Sequence, residues 1–128
     1  MSNSEAPFLR TFFILSGLTI LGPLAFETFL PAIEDTVISL NTEVNTVLKT
    51  IAFMQLGTAC GQIIYGPLSD RFGRRPIVLG GLVTFTTCSF LSALVDSTEP
   101  LFVLRLLHGL ALASTMIIFR AVVRDLFS

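Results

Sequence analysis

The sequence predicts an all-α, polytopic membrane protein with four transmembrane helices, and three observations carry that expectation. Hydrophobic residues make up 52% of the chain and charged residues only 13%, whereas a soluble domain devotes roughly a quarter of its residues to charge. The apolar residues gather into four runs, Thr11 to Ile33, Val47 to Leu68, Pro76 to Val95 and Pro100 to Val123. Each is near the roughly 20 residues that a helix rising about 1.5 Å per residue needs to cross a hydrocarbon core about 30 Å thick. The runs lack the alternation of barrel strands, so their backbone N–H and C=O groups must be paired inside helices. A chain of 128 residues then has little left for a soluble domain.

The first run follows Met1 to Arg10, which carries Glu5 and a single arginine, and it is too long for the apolar core of a signal peptide. The first span is therefore expected to stay in the mature protein. It holds Glu27, six residues before Ile33. The second run places Gly57 and Gly61 four residues apart, and the fourth places Gly109 and Ala113 likewise; small residues one turn apart let membrane helices approach closely. Gln55 and Gln62, seven residues apart on the second run, share a similar face and offer hydrogen bonds across helices or to a ligand. For Gly80 and Gly81 on the third run, close packing and the ordinary abundance of glycine in membrane helices are both open readings. Cys60 and Cys88 lie inside apolar runs without metal-ligand spacing and read as free thiols packed between helices.

Charge placement predicts orientation. Arg10 precedes the first run, Arg71, Arg74 and Arg75 join the second to the third, and Arg124 follows the fourth; such positions belong on the cytoplasmic side. The other connections, Glu34 to Thr46 and Asp96 to Glu99, contain no Lys or Arg. Both termini are then expected in the cytoplasm. Lys49 is the exception, near the outer end of the second run, where its stem lets the ammonium reach the interface. The net charge of −1 gives no reason to expect a nucleic-acid partner. No nucleophile sits beside a base, no His or Cys spacing suits a metal and no glycine loop cradles a phosphate, so an enzyme is not expected.

The most specific local signal is the segment Gly66-Pro67-Leu68-Ser69-Asp70-Arg71-Phe72-Gly73-Arg74-Arg75-Pro76. Gly66 and Gly73 permit a tight backbone path, Pro76 suits a first helical turn, and Asp70 with three arginines makes a compact charged latch. The segment resembles the signature motif of the major facilitator superfamily. In the fourth run, Arg105-Leu106-Leu107-His108-Gly109 looks like that family's Arg-x-x-Gln-Gly element, with His108 in place of glutamine. Leu21 to Pro31 and Arg120 to Phe127 resemble the Bcr/CflA type of exporter, with Glu27 where an aspartate is usual.

The resemblance covers about Phe8 to Phe127 and implies the first four helices of a twelve-helix, two-half transporter with a midplane site between the halves. It also implies that the motif steadies the outward-facing state against the C-terminal half. The implied function is proton-coupled efflux of drugs or small amphipathic molecules from the bacterial inner membrane, driven by the proton gradient with no cofactor. This chain alone is expected to be incomplete for transport, its partners being the lipid bilayer, a drug-like substrate and the missing C-terminal helices or a full-length transporter. A non-transporting membrane piece and a homodimeric four-helix exporter are the other readings.

An arginine at the centre of a membrane helix costs about 2.5–3.5 kcal/mol on insertion scales, which marks Arg105 as a functional residue unless it snorkels outward. Glu27 lies at nearly the same depth, about 9 Å from the outer end at about 1.5 Å per residue, and the two side chains can pair. Desolvation favours a neutral carboxylate and a cation the charged one, a balance from which Glu27 is expected to couple protons with Arg105 tuning it. A static Glu27–Arg105 pair between helices is the structural alternative. His108 reads either as part of a proton path or as a packing and hydrogen-bonding residue. Asp125 reads either as an acceptor for Arg71, Arg74 or Arg75, extending the latch, or as a solvated charge.

Overall fold

The computed structural model describes residues 13, 14, 16, 17, 20, 22 to 24 and 27 to 127, with side chains described up to 117. Among these residues the fold is all-helical: a short helix α1 (Ile33–Ser39) and three long ones, α2 (Val44–Phe72), α3 (Arg74–Ser92) and α4 (Thr98–Phe127). The three long helices are each apolar and long enough to cross a membrane. The first run is helical at its described residues between 13 and 27 but passes through turns at 28 to 32, not through one helix to Ile33 as expected. Pro31 supplies the cause, since its ring clashes with the carbonyl four residues back and it has no N–H to give. The chain there closes tighter bonds, Ala32 N–H to Phe29 C=O at 3.1 Å and Ile33 N–H to Leu30 C=O at 3.4 Å.

Two of the connections between the runs hold helical structure. The connection from Glu34 to Thr46 contains α1, whose first turn carries Glu34 and Asp35, where carboxylates oppose the positive end of the helix dipole. Asn41, with φ of 45°, follows the end of α1 in the left-handed conformation that Asn tolerates. The junction between the second and third runs is shorter than the segment Gly66 to Pro76, because α2 runs on through Gly66 and Pro67 to Phe72. A proline inside a membrane helix is tolerated where local adjustments satisfy the freed backbone groups. Only Gly73, with φ of 85° and ψ of 158°, separates α2 from α3, a backbone region open essentially to glycine alone. Pro76 falls in the first turn of α3 as expected, and Asp70 and Arg71 ride on the final turn of α2.

The core is organised around α4, which is the most buried of the three long helices and packs on both α2 and α3. The α2–α4 seam is the close approach that the small-residue spacing predicts. A Cβ added at Gly57 would strike the Leu106 carbonyl, one at Gly109 the Met54 carbonyl, and one at Gly61 would lie 2.6 Å from the Ala113 Cβ. On α3 the two glycines differ: Gly81 packs against Ser114, whereas Gly80 faces open space. The first run joins α4 through Gly22, whose added Cβ would lie 3.2 Å from Met116 Cε.

The outward faces are strongly apolar, with Ile63 78% and Phe90 75% exposed, a surface suited to lipid. The exposed hydroxyls of Thr84, Thr86 and Thr87 on α3 donate to carbonyls four residues back at 2.8–2.9 Å, so they too can face lipid without an unpaired donor. Cys88 is buried as expected, whereas Cys60 is exposed on the outer face of α2.

Gly109→Ala is expected to destabilise the protein by about 1–3 kcal/mol, the range for overpacking, while Gly80→Ala should be neutral or slightly stabilising. Thermal unfolding of the two variants in detergent checks this, and equal midpoints would refute the seam. A parallel contrast applies at the α2–α3 junction. Gly73→Ala should cost about 1–3 kcal/mol from backbone strain, and Gly66→Ala, which meets nothing within 4 Å, should be tolerated in the same assay.

Candidate functional site

The helical spacing of α4 puts Arg105 and His108 one turn apart on one face. α3 answers with Phe85, Ser89 and Ser92, at helical positions i, i+4 and i+7. Together with Met54 of α2 and Leu24, Thr28, Phe29 and Ala32 of the first run, these residues line a cavity of about 600 Å³. Its walls are largely apolar, the usual character of a small-molecule site in which a few polar groups fix orientation.

Arg105 is half-buried, with its guanidinium 3.7 Å from the centroid of the Phe29 ring. Stacking on an aromatic face stabilises a partly desolvated cation by about 1–2 kcal/mol. Arg105 also lines a second cavity of about 410 Å³, together with Asp35 and Asp96, so it stands between an apolar space and an acidic one. His108 is buried. Its Nε2 lies 2.9 Å from Ser89 Oγ, and its ring meets Phe85 edge-on at 4.5 Å.

The other residues singled out in the sequence are not gathered here. Glu27 is exposed, lines neither cavity and makes no ion pair with Arg105; the guanidinium meets Phe29 instead. The reason is local geometry: the chain turns directly after Glu27, carrying Thr28 and Phe29 to the cavity and leaving the carboxylate outside. Gln55 is exposed and Gln62 half-buried, and both lie away from the cavity wall. In the latch segment Asp70, Arg71 and Arg75 are exposed and Arg74 is half-buried, with the Arg71 guanidinium 5.4 Å from the Phe72 ring centroid. The Asp125 side chain lies outside the described residues.

Sequence reasoning missed Phe29, Phe85, Ser89 and Ser92. The last three were detectable as an aromatic and hydroxyl stripe along α3, since two serines on one face of an apolar helix need partners. Phe29 carried no such signal among the chain's 12 phenylalanines.

A half-buried guanidinium and a buried imidazole on the wall of an apolar cavity, held among helices that cross lipid, define a helical integral membrane protein with a polar intramembrane site. Its family follows from comparison. The chain belongs to the major facilitator superfamily, whose family profile matches residues 8–128. It is 33% identical to the chloramphenicol resistance protein of Pseudomonas aeruginosa over 92% of this chain and 28% of that protein. It is 31% identical to the bicyclomycin resistance protein homolog of Haemophilus influenzae over 100% of this chain and 32% of that protein. With multidrug resistance protein D of Escherichia coli the identity is 29%, over 86% and 28%. The chain thus spans about a third of the length of these curated relatives. No solved structure matches it.

The Arg105–Phe29 contact makes a quantitative prediction. A double-mutant cycle of Phe29→Leu and Arg105→Gln, read by unfolding in detergent, is expected to give a coupling energy of about 1–2 kcal/mol. A coupling within error of zero would show that the ring does not hold the guanidinium.

Proposed function

We propose that this chain supplies the N-terminal helices of a Bcr/CflA-like exporter that moves drugs or other small amphipathic molecules out across the bacterial inner membrane in exchange for protons. The observation that carries the reading is Arg105, a cation kept inside a membrane bundle on the wall of an apolar cavity large enough for a drug. A residue so costly to insert is a functional one by default. The relatives named for chloramphenicol, bicyclomycin and multidrug resistance support the substrate class.

In this reading the energy source is the proton gradient, with no cofactor, and Glu27 is the proton carrier. Its carboxylate is exposed within an apolar run, and a carboxylate in that position requires either water or further protein against it. A cavity completed by additional helices provides both. Arg105 acts on that carboxylate through its longer-range field, without a direct bond to Glu27. The arginines between α2 and α3 and the acidic outer connections support cytoplasmic termini. Asp70, Arg71, Arg74, Arg75 and Asp125 form the conformational latch at that cytoplasmic face, swung on the Gly73 junction.

Glu27→Gln is expected to abolish pH-driven efflux while leaving membrane insertion unchanged. Efflux of a fluorescent drug from cells or everted vesicles, measured with and without a proton gradient in the transporter carrying these helices, tests this. Normal gradient-driven efflux by the variant would remove Glu27 from the coupling role.

A further inference from the structure

Arg105 brings a guanidinium to the wall of the larger cavity, and no carboxylate lines that wall. Asp35 and Asp96 line the second cavity beside it without forming an ion pair, and Glu27 lies outside both cavities. The close partner of the cation is the Phe29 ring, 3.7 Å from it. A ring face compensates part of the hydration a cation loses, but the N–H groups of a guanidinium lie in its own plane and point away from a ring stacked on it. Those donors are therefore left to other partners.

The donors are not equivalent. Nε is buried and bonded to nothing, which puts its N–H beyond the reach of a ligand. The two terminal nitrogens are not among the buried polar atoms left without a partner, and no hydrogen bond within the protein engages them. They are the accessible end of the side chain and carry the rest of its N–H groups. A charge withdrawn from water is stable when it is paired and hydrogen-bonded, and two adjacent guanidinium nitrogens match the two oxygens of a carboxylate through parallel bonds.

The rest of the wall sets the body of such a ligand. Leu24, Met54 and Phe85 make it largely apolar, and its volume of about 600 Å³ lies within the roughly 300–1,000 Å³ range of drug-sized sites. An ammonium group would meet the charge of Arg105 with no carboxylate on this wall to hold it. On the far side of Arg105, Asp35 and Asp96 repel an anion, which leaves the larger cavity as its place of binding.

We infer that the larger cavity binds amphipathic organic anions, the ligand carboxylate resting on the terminal nitrogens of Arg105 and its apolar body against Phe85 and Leu24. The site rests on the reading of the protein as an exporter of small amphipathic molecules and narrows the class it takes.

The test is binding with no proton gradient, so that failed export and a failed site give different results. Two probes of one skeleton, 2-naphthoate and the 2-naphthylmethylammonium ion, are titrated calorimetrically into the protein in nanodiscs of uncharged phosphatidylcholine, with empty nanodiscs subtracting partition into lipid. At neutral pH an ordinary carboxylic acid, with a pKa of about 4, is ionised. The anion is expected to bind at least about tenfold more tightly than the cation, the effect of a charge-assisted bond in a poorly hydrated site. Arg105→Gln should erase that preference, and Arg105→Lys, which keeps the charge, should retain part of it. Equal affinities, or a preference for the ammonium ion, overturn the inference, and so does an anion preference that survives Arg105→Gln, which would place the anion on the exposed arginines between α2 and α3. Should the variants fail to insert, salt decides on the unaltered protein: raising it from about 0.05 M to about 0.5 M screens exposed charges far more than enclosed ones. A preference that persists supports the cavity site, and one that vanishes overturns it.

Discussion

The close approach of the α2 and α4 backbones is the constraint on which the rest of the bundle depends. In lipid there is little hydrophobic gain from bringing two apolar helices together, so association rests on packing and polar contacts. Gly57, Gly61 and Gly109 remove the side chains that would hold the backbones apart, and the carbonyls of Leu106 and Met54 occupy the space they leave. With α2 seated so deeply on one side, α4 turns its other faces to α3 and the first run. Gly81 against Ser114 sets the second contact, and Gly22 against Met116 the third. The cavity adjoins the seam, since Met54, whose carbonyl meets Gly109, and His108, next to Gly109, both line it.

That arrangement also accounts for how a charge survives inside the bundle. Arg105 lies on the part of α4 beyond the tight seam, where the Pro31 turn brings Phe29 across it. The quadrupole of the ring compensates part of the desolvation cost, and the cavity carrying Asp35 and Asp96 on the other side supplies negative charge at longer range. The same turn that prevents the first run from being one continuous helix therefore provides the arginine with its partner.

The membrane fold was legible in the sequence because hydropathy and span length report on lipid directly. The α2–α4 seam was legible as well, in the four-residue spacing of Gly57 with Gly61 and of Gly109 with Ala113. Arg105 stood out by its insertion cost and by the motif that it resembles. What could not be read was which neighbour each residue meets. Gly66-Pro67 has the composition of a turn, yet tertiary context carries α2 through it, and Gly73 alone makes the break. The Ser89–His108 contact depends on the rotation of α3 about its axis, which its broadly apolar sequence does not specify. Glu27 and Arg105 were matched by depth, but depth leaves azimuth open, and the turn at 28 to 32 places them on different surfaces.

That separation bears on how coupling could operate. A carboxylate locked to a guanidinium is held in its charged form, because protonation would strand a buried cation. Such a pair resists the neutralisation on which a proton carrier depends. Stacking on Phe29 compensates Arg105 without using a carboxylate, so in the proposed exchange the proton cycle of Glu27 breaks no ion pair with Arg105. In the proposed exporter Arg105 then acts on Glu27 only through its longer-range field, an influence that changes with the water and the protein lying between them. In an alternating-access cycle those two quantities differ between the open and closed states. Under the proposed exchange, an arginine fixed by an aromatic ring and a carboxylate free of it let conformation, and not a permanent bond, decide when the proton is held.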